Sequence, residues 1–237
     1  MEQAGKPSQR GTFDFTRVIP HLSRTSEVQR LIVEKAGFSH FHFALRSPLP
    51  VSFPVVYVLD NFSDAARRAY DEGRSWQDDP VLNYSGGKDT LIWREELPRH
   101  RRIPLLWRDA SDEGLSYWFI FKGGVTAILS LTRGALPLSG QLAEDLRPLA
   151  YQACRTLLDI VARERKSDFP LLPREKLSSR ELHILRLSAD GMTAEEIAHQ
   201  VFISKSTVNF HIKRINRKLC SRNKSQAIAK AALMSLL

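Results

Sequence analysis

The chain has 237 residues, an apolar fraction of 43% and a formal net charge of +9. This composition is ordinary for a globular protein, and the length allows one large domain or two smaller ones. No run of 18 uncharged apolar residues occurs and the first residues lack an apolar stretch, so we expect no membrane span, no secretion signal and a cytoplasmic location.

The two cysteines, Cys154 and Cys220, lie far apart in the chain. Their spacing matches neither a metal site nor a redox motif. We therefore expect two reduced thiols, no metal and no cofactor.

Helical and strand patterns alternate over the first 165 residues. In chain order they are a helix over 28–36 that ends at Gly37, strands over 41–45 and 55–59, a helix over 64–70, two strands over 117–121 and 126–131 joined across Gly123-Gly124, and a helix over 139–165. The run 55–59 has the composition of a buried strand. Short connections exclude parallel pairing, so the order predicts an α+β domain over residues 13–165, with helices on both faces of an antiparallel sheet.

The apolar face of the last of these helices runs from Leu142 to Ile160. It is either a core face or a dimer seam, and the sequence leaves both open. Residues 166–173 follow, with prolines at Pro170 and Pro173 and mixed charge, which is typical of a linker.

Most of the excess positive charge lies at the C-terminal end. Residues 174–237 contain 12 Lys and Arg against 5 Asp and Glu, whereas the first 173 residues contain 23 against 21. Clustered cations bind polyanions because they displace the counterions condensed on phosphates. Basic surfaces are also common in proteins that bind no polyanion, so the charge alone does not establish nucleic-acid binding. The arrangement of the charged residues is the stronger evidence.

Residues 174–237 show four short helical segments in an all-α pattern. Their predicted N-caps are Ser178, Thr193, Ser204 and Asn223. Only Phe202-Ile203-Ser204 separates the second segment from the third, and such a tight turn is typical of a helix-turn-helix domain.

The third segment has an apolar stripe (Val208, Ile212, Ile215, Leu219) and no carboxylate from Ser204 to Leu219. An acid-free polar face suits a groove lined by phosphates and base acceptors, although a plain surface helix stays possible. The residues that we predict contact DNA are Lys205, Ser206, Thr207, Asn209, Lys213 and Arg217. Asn209 and Lys213 are the predicted base readers, and Ser206 and Thr207 would bind phosphate at the helix N-terminus.

The segment from Thr193 to Ile212 resembles the motif of the LuxR-type (GerE-like) helix-turn-helix family, and the resemblance covers residues 175–237. Glu181, Gly191, Val208 and Lys218 stand where that motif expects them. The resemblance implies a DNA-binding transcriptional regulator that acts as a homodimer on two half-sites.

Residues 40–131 resemble the autoinducer-binding domain of quorum-sensing regulators through Tyr70, Asp79-Pro80, Trp93 and Gly114-Leu115. The resemblance implies that Asp79 accepts the amide N–H of an acyl-homoserine lactone. Tyr70, aided by Ser130, would meet the acyl carbonyl, and Trp93 would wall the lactone ring. The other residues assigned to this pocket are Tyr57, Phe62, Ala66 and Trp107.

Ala66 departs from the family's pattern, which has a tryptophan four residues before the tyrosine to donate to the lactone carbonyl. Losing a donor to a buried carbonyl costs about 1 to 3 kcal/mol. The sequence therefore leaves open a lactone, a different small signal, and a regulator that acts without ligand. Enzymatic activity is not expected, because no Gly-x-Ser-x-Gly element and no metal-spaced His/Asp cluster occurs.

Overall fold

A computed structural model describes residues 15–51, 54–73, 79–82, 89–96, 114–133, 138–164 and 175–237. The predicted linker 166–173 and the predicted pocket residue Trp107 lie outside these ranges.

The N-terminal part contains a sheet with helices before, between and after its strands. The elements are α1 (Phe15–Val18), a 3-10 turn (Ile19–His21), α2 (Thr25–Arg30), a π-helical turn (Leu31–Lys35), β1 (His40–Arg46), β2 (Val56–Asp60), α3 (Asp64–Glu72), β3 (Thr90–Ile92), α4 (Trp93–Glu96), β4 (Gly114–Ile120), β5 (Thr126–Thr132) and α5 (Gly140–Glu164). In the described residues the sheet has five strands in the order β2-β1-β5-β4-β3, and every pairing is antiparallel. The antiparallel α+β prediction is confirmed. β3 was not predicted, because three residues are too few to show an alternating pattern.

The two faces of the sheet pack against different helices, because side chains alternate along each strand. One face presents Phe41, Phe43 and Leu45 of β1 to α5 and the N-terminal helices. The other face presents Ala44 and Ile128 to a separate cluster, which we call the pocket-face cluster; its members are Ala44, Phe62, Tyr70, Val81, Leu82, Leu91, Trp93 and Ile128. Helices therefore cover both faces of the sheet, as predicted.

β2 is an edge strand, and the prediction of a buried strand over 55–59 is wrong. Val56 and Val58 are 36% and 40% exposed. Their apolar composition matched a buried strand, but composition does not reveal whether a strand has one neighbour or two.

α5 uses its apolar face for the core. Leu149, Ala153, Leu157 and Ile160 are buried in the cluster that includes Phe41 and Phe43. The sequence left open whether this face packs in the core or forms a dimer seam, and these four residues pack in the core.

The C-terminal part has the predicted all-helical architecture. Its helices are α6 (Ser179–Ala189), α7 (Ala194–Gln200), α8 (Lys205–Lys218) and α9 (Lys224–Leu233). All four predicted N-caps are confirmed, since Ser178, Thr193, Ser204 and Asn223 each accept a backbone N–H from three residues on, at 2.8 to 3.3 Å. Gly191 adopts φ of +95° just after α6, a conformation that glycine reaches without strain.

A buried ion pair fixes α8 against α6. Lys218 Nζ lies 2.8 Å from Glu181 Oε2, and both side chains are almost fully buried. Glu181 also accepts from Ser178 N at 2.7 Å, so one carboxylate joins the start of α6 to the end of α8. This contact holds α8 with its polar face outward.

Candidate ligand pocket and DNA-binding helix

α3 is held over the pocket face of the sheet by its first turns. Ser63 Oγ accepts from Ala66 N at 3.2 Å and caps the helix. Arg67 Nη2 donates to Asp60 Oδ1, at the end of β2, at 2.6 Å. These contacts direct the buried side of α3, which carries Tyr70, toward the pocket-face cluster.

Tyr70 and Asp79 meet in this cluster as a buried polar pair. Tyr70 Oη donates to Asp79 Oδ2 at 2.6 Å. Val81 N and Leu82 N donate to Asp79 Oδ1 at 2.8 and 3.2 Å. Asp79 is 2% exposed and Tyr70 is 6% exposed, so three donors orient a carboxylate that is shielded from solvent.

The electrostatics of this pair differ from those of a surface pair. Burial raises the pKa of Asp79, and the hydrogen bond from Tyr70 opposes that rise. Burial and the nearby Asp79 charge raise the pKa of Tyr70 far above its ordinary value, so its hydroxyl stays protonated and remains a donor. Perturbed groups of this kind concentrate at functional sites.

A chain of hydroxyls lies on the sheet beside the pair. Trp93 Nε1 donates to Ser116 Oγ at 2.8 Å, and Ser116 Oγ lies 2.7 Å from Ser130 Oγ. Both serines are fully buried. Ser116 was not among the predicted pocket residues, although extending the predicted hairpin by one pair places it opposite Ser130.

Gly114 is required where Trp93 packs. A Cβ on Gly114 would overlap the six-membered ring of Trp93. The indole therefore lies directly on the β4 backbone, and this close approach explains why a glycine stands at the start of the strand.

The structure brings together six of the eight predicted pocket residues: Phe62, Ala66, Tyr70, Asp79, Trp93 and Ser130. The Phe62 ring stacks on the His40 ring with centroids 5.1 Å apart. Ala66 packs half-buried at the edge of the cluster.

Tyr57 lies apart from the other predicted pocket residues, so its assignment to the pocket from the sequence was wrong. It packs with the cluster on the opposite face of the sheet. Asp60, three residues on, pairs with His42 and lies on the pocket face, so the alternation of β2 sends Tyr57 to the other side.

The six predicted DNA-contacting residues form a continuous outward face on α8. Lys205, Ser206, Asn209, Lys213 and Arg217 are exposed, and Thr207 is half-buried. The hydroxyls of Ser206 and Thr207 lie 2.7 and 2.8 Å from Ser204 Oγ at the helix N-terminus.

Two neighbours of this face were not anticipated. Lys205 Nζ forms an ion pair with Glu195 Oε1 of α7 at 2.5 Å. α8 itself carries no carboxylate, but the adjacent helix therefore places one beside its outward face. Arg214 is exposed, lies over the Phe210 ring at 5.8 Å and reaches Glu181 Oε1 at 3.3 Å. Arg214 adds a cation beside the predicted readers.

No cluster of three or more His, Cys, Asp or Glu that could hold a metal occurs within the described ranges. None of the helices described there is long and apolar enough to cross a membrane.

Family models match both parts of the chain. The model for bacterial regulatory proteins of the luxR family matches residues 175–231, and the model for the autoinducer binding domain matches residues 24–157. The chain belongs to the LuxR family of transcriptional regulators. Its relatives are regulators rather than enzymes.

Individual relatives align with this regulator over most of its length. The transcriptional activator protein SolR of Ralstonia nicotianae is 32% identical over 87% of this chain and 89% of its own. The quorum-sensing regulator RhlR of Pseudomonas aeruginosa is 29% identical over 86% of each chain.

Solved structures of SdiA from Escherichia coli share the fold. The match to a crystal structure of SdiA covers 94% of this chain and 98% of the SdiA chain, with a TM-score of 0.73 and 24% identity. SdiA in complex with octanoyl-rac-glycerol covers 99% of this chain and 97% of its own, also with a TM-score of 0.73, at 23% identity.

Proposed function

We propose that this regulator binds operator DNA as a homodimer in the cytoplasm and that an acyl-homoserine lactone controls this binding. Residues 13–165 would form the domain that binds the signal, and residues 174–237 would form the domain that binds DNA. Residues 166–173 would be the linker between these two domains. Tyr70, Asp79, Trp93 and Ser130 would anchor the signal, with Phe62 and Ala66 lining the pocket and Trp107 assigned to it by resemblance.

The observation that supports a lactone most directly is the buried Tyr70–Asp79 pair inside an apolar cluster. A carboxylate can accept several hydrogen bonds at once, so Asp79 can hold both Tyr70 and a ligand N–H. An apolar lining with a few convergent polar groups is typical of a small-molecule pocket, and here it suits an amide carrying an alkyl chain.

The proposal for DNA recognition depends on the outward face of α8. In it, Asn209 and Lys213 contact base edges, while Lys205, Ser206, Thr207 and Arg217 bind phosphate or sugar. Lys205 would exchange Glu195 for a phosphate on binding, which an exposed ion pair permits at little cost.

A second candidate signal is an acyl compound with another headgroup. Ala66 is small and lies at the edge of the pocket-face cluster, so it leaves room that a tryptophan would fill. The related SdiA is known in complex with octanoyl-rac-glycerol, which combines an acyl chain with a glycerol headgroup.

The test measures DNA affinity with and without signal. A binding sequence is first selected from random duplexes with the full chain. Fluorescence anisotropy then gives the Kd for that duplex with N-octanoyl homoserine lactone, with 1-octanoyl glycerol and without either.

We expect the lactone to change the Kd at least tenfold and a Tyr70→Phe variant to require more lactone for the same change. If only the glycerol ester changes the Kd, the signal is the second candidate, an acyl compound with another headgroup, and not a lactone. A Kd indifferent to both would contradict control by a ligand of either kind.

A further inference from the structure

One apolar side chain stands on the outward face of α8. The exposed residues of this helix are Lys205, Ser206, Asn209, Phe210, Lys213, Arg214 and Arg217. Every residue of α8 is described, and among the exposed ones Phe210 alone is apolar; it is 55% exposed. Phe210 follows Ser206 by four residues and precedes Lys213 by three, so the three side chains lie on one side of the helix. The ring therefore lies within the face that we propose binds DNA.

Neighbouring side chains hold the Phe210 ring in place. The guanidinium carbon of Arg214 lies 5.8 Å from the ring centroid, which is within the range of a cation–π interaction. Arg214 Nε is itself 3.3 Å from Oε1 of the buried Glu181. The His211 ring packs against Phe210 at a steep angle, with the centroids 5.9 Å apart. The exposed ring is therefore restrained in advance, which lowers the entropy that a partner would have to remove on binding.

The surroundings of the ring indicate the chemistry of its partner. The core of a protein–protein interface is a contiguous apolar patch with few charges. The exposed residues of α8 around Phe210 are instead an amide and three cations: Asn209, Lys213, Arg214 and Arg217. Cations bind a phosphate backbone, and the C5-methyl of thymine is the apolar group that base edges present in the major groove. A single apolar ring among cations therefore favours duplex DNA over a second protein.

We propose that Phe210 is a specificity-determining residue that contacts the C5-methyl group of a thymine in each operator half-site. The inference rests on the proposed function, because it takes the outward face of α8 to enter the major groove. Asn209 directly precedes Phe210 and Lys213 follows it by three residues, so the ring would lie among the base edges that these two contact. A methyl group that packs on the ring is removed from water, which favours thymine over cytosine, because cytosine has no methyl group at that position.

The test compares duplexes that differ by one methyl group. In the selected duplex each thymine of the half-sites is replaced in turn by deoxyuridine, which forms the same pair with adenine but lacks the methyl. Fluorescence anisotropy with the full chain gives each Kd for the wild type, Phe210→Ala, Phe210→Leu and the control Phe202→Ala. Phe202 is also an exposed phenylalanine, at 92%, but it lies in the turn before α8.

We expect one thymine position in each half-site at which deoxyuridine weakens wild-type binding about 3- to 5-fold, the effect of one methyl group leaving an apolar contact. Replacing that thymine in both half-sites should weaken binding roughly 10- to 25-fold, because the two effects multiply. Phe210→Ala should bind the thymine and deoxyuridine duplexes equally. Phe210→Leu, which keeps an apolar side chain, and Phe202→Ala should retain the difference.

The outcomes separate this inference from the proposed DNA binding. If no thymine position distinguishes the two bases in the wild type, or if Phe210→Ala shows the same methyl effect as the wild type, the role of Phe210 is overturned and operator binding by α8 stands. Failure of the wild type to enrich any sequence from the random duplexes would overturn both. If Phe210→Ala does not fold, Phe210→Gln takes its place, since its polar end gives the methyl group no apolar contact.

Discussion

Ala66 is the proposed pocket residue that stands where the family's pattern has a tryptophan. It lies one turn before Tyr70 on α3 and packs half-buried against the pocket-face cluster. A tryptophan there would donate to a lactone carbonyl and fill the space beside the ring. Under the proposed function, the choice of signal should therefore respond to a change at this position.

Replacing Ala66 by Trp should strengthen binding of N-octanoyl homoserine lactone if a lactone is the native signal. A donor to a buried carbonyl contributes about 1 to 3 kcal/mol, which corresponds to roughly 5- to 150-fold in Kd. The control is Ala65→Trp, because Ala65 is exposed on the same helix. Weaker lactone binding in Ala66→Trp alone would favour a signal with a larger headgroup.

Asn209 and Lys213 carry the proposed base recognition, since they are exposed one turn apart on α8. Changing either to Ala should cost about 1 to 3 kcal/mol of discrimination between the selected duplex and one with a changed base pair. Arg186→Ala removes a charge from α6 and should leave that discrimination intact. The two Kd values are compared by anisotropy, and unchanged discrimination in both α8 variants would refute the assignment.

At the scale of elements, α8 depends on the buried Glu181–Lys218 pair for its position. Burial acts to raise the pKa of Glu181, but the hydrogen bonds from Lys218 and Ser178 outweigh it, and the pKa lies below its ordinary value of 4.5. The folded state therefore gains stability from the carboxylate at pH values above 4.5. That stability is lost as the pH falls below 4.5 through the folded pKa.

Glu181→Gln should destabilise α6 and α8 by about 3 kcal/mol at pH 7, because it leaves the buried Lys218 with only the exposed Glu175 carboxylate, 4.0 Å away, as a counter-charge. Hydrogen exchange of the amides in these helices, followed by mass spectrometry, measures the difference from the wild type. The difference should shrink as the pH falls below 4.5, and a difference independent of pH would contradict an ionic origin.

The elements show which parts of the fold a sequence can predict. The four caps of α6 to α9 were predicted correctly because each depends on a side chain three residues from its partner. The exposure of β2 and the position of Tyr57 were missed because both depend on which strands are neighbours. Ser116 was missed for the same reason, since it meets Ser130 only through pairing across the sheet.

At the scale of the whole molecule, charge is divided between the two parts of the chain. Residues 174–237 carry a formal charge of +7 of the total +9. In the proposed homodimer two such surfaces would meet DNA together, one at each half-site.

Raising the salt concentration should weaken binding of the selected duplex steeply. Each phosphate neutralised contributes about −0.9 to the slope of log K against log salt concentration. Lys205→Ala, which removes a proposed phosphate contact, should reduce that slope by roughly one unit per protomer. A wild-type affinity that does not change with salt concentration would contradict phosphate binding by these cations.

The central claim is that the pocket around Tyr70 and Asp79 selects an acyl chain attached to an amide and a lactone. The most direct measurement is to purify the full chain from cells grown with a mixture of N-acyl homoserine lactones and 1-octanoyl glycerol, and to identify the released molecules by mass spectrometry. We predict close to one equivalent of lactone per chain. Recovery of no small molecule, or of the glycerol ester alone, would contradict the claim.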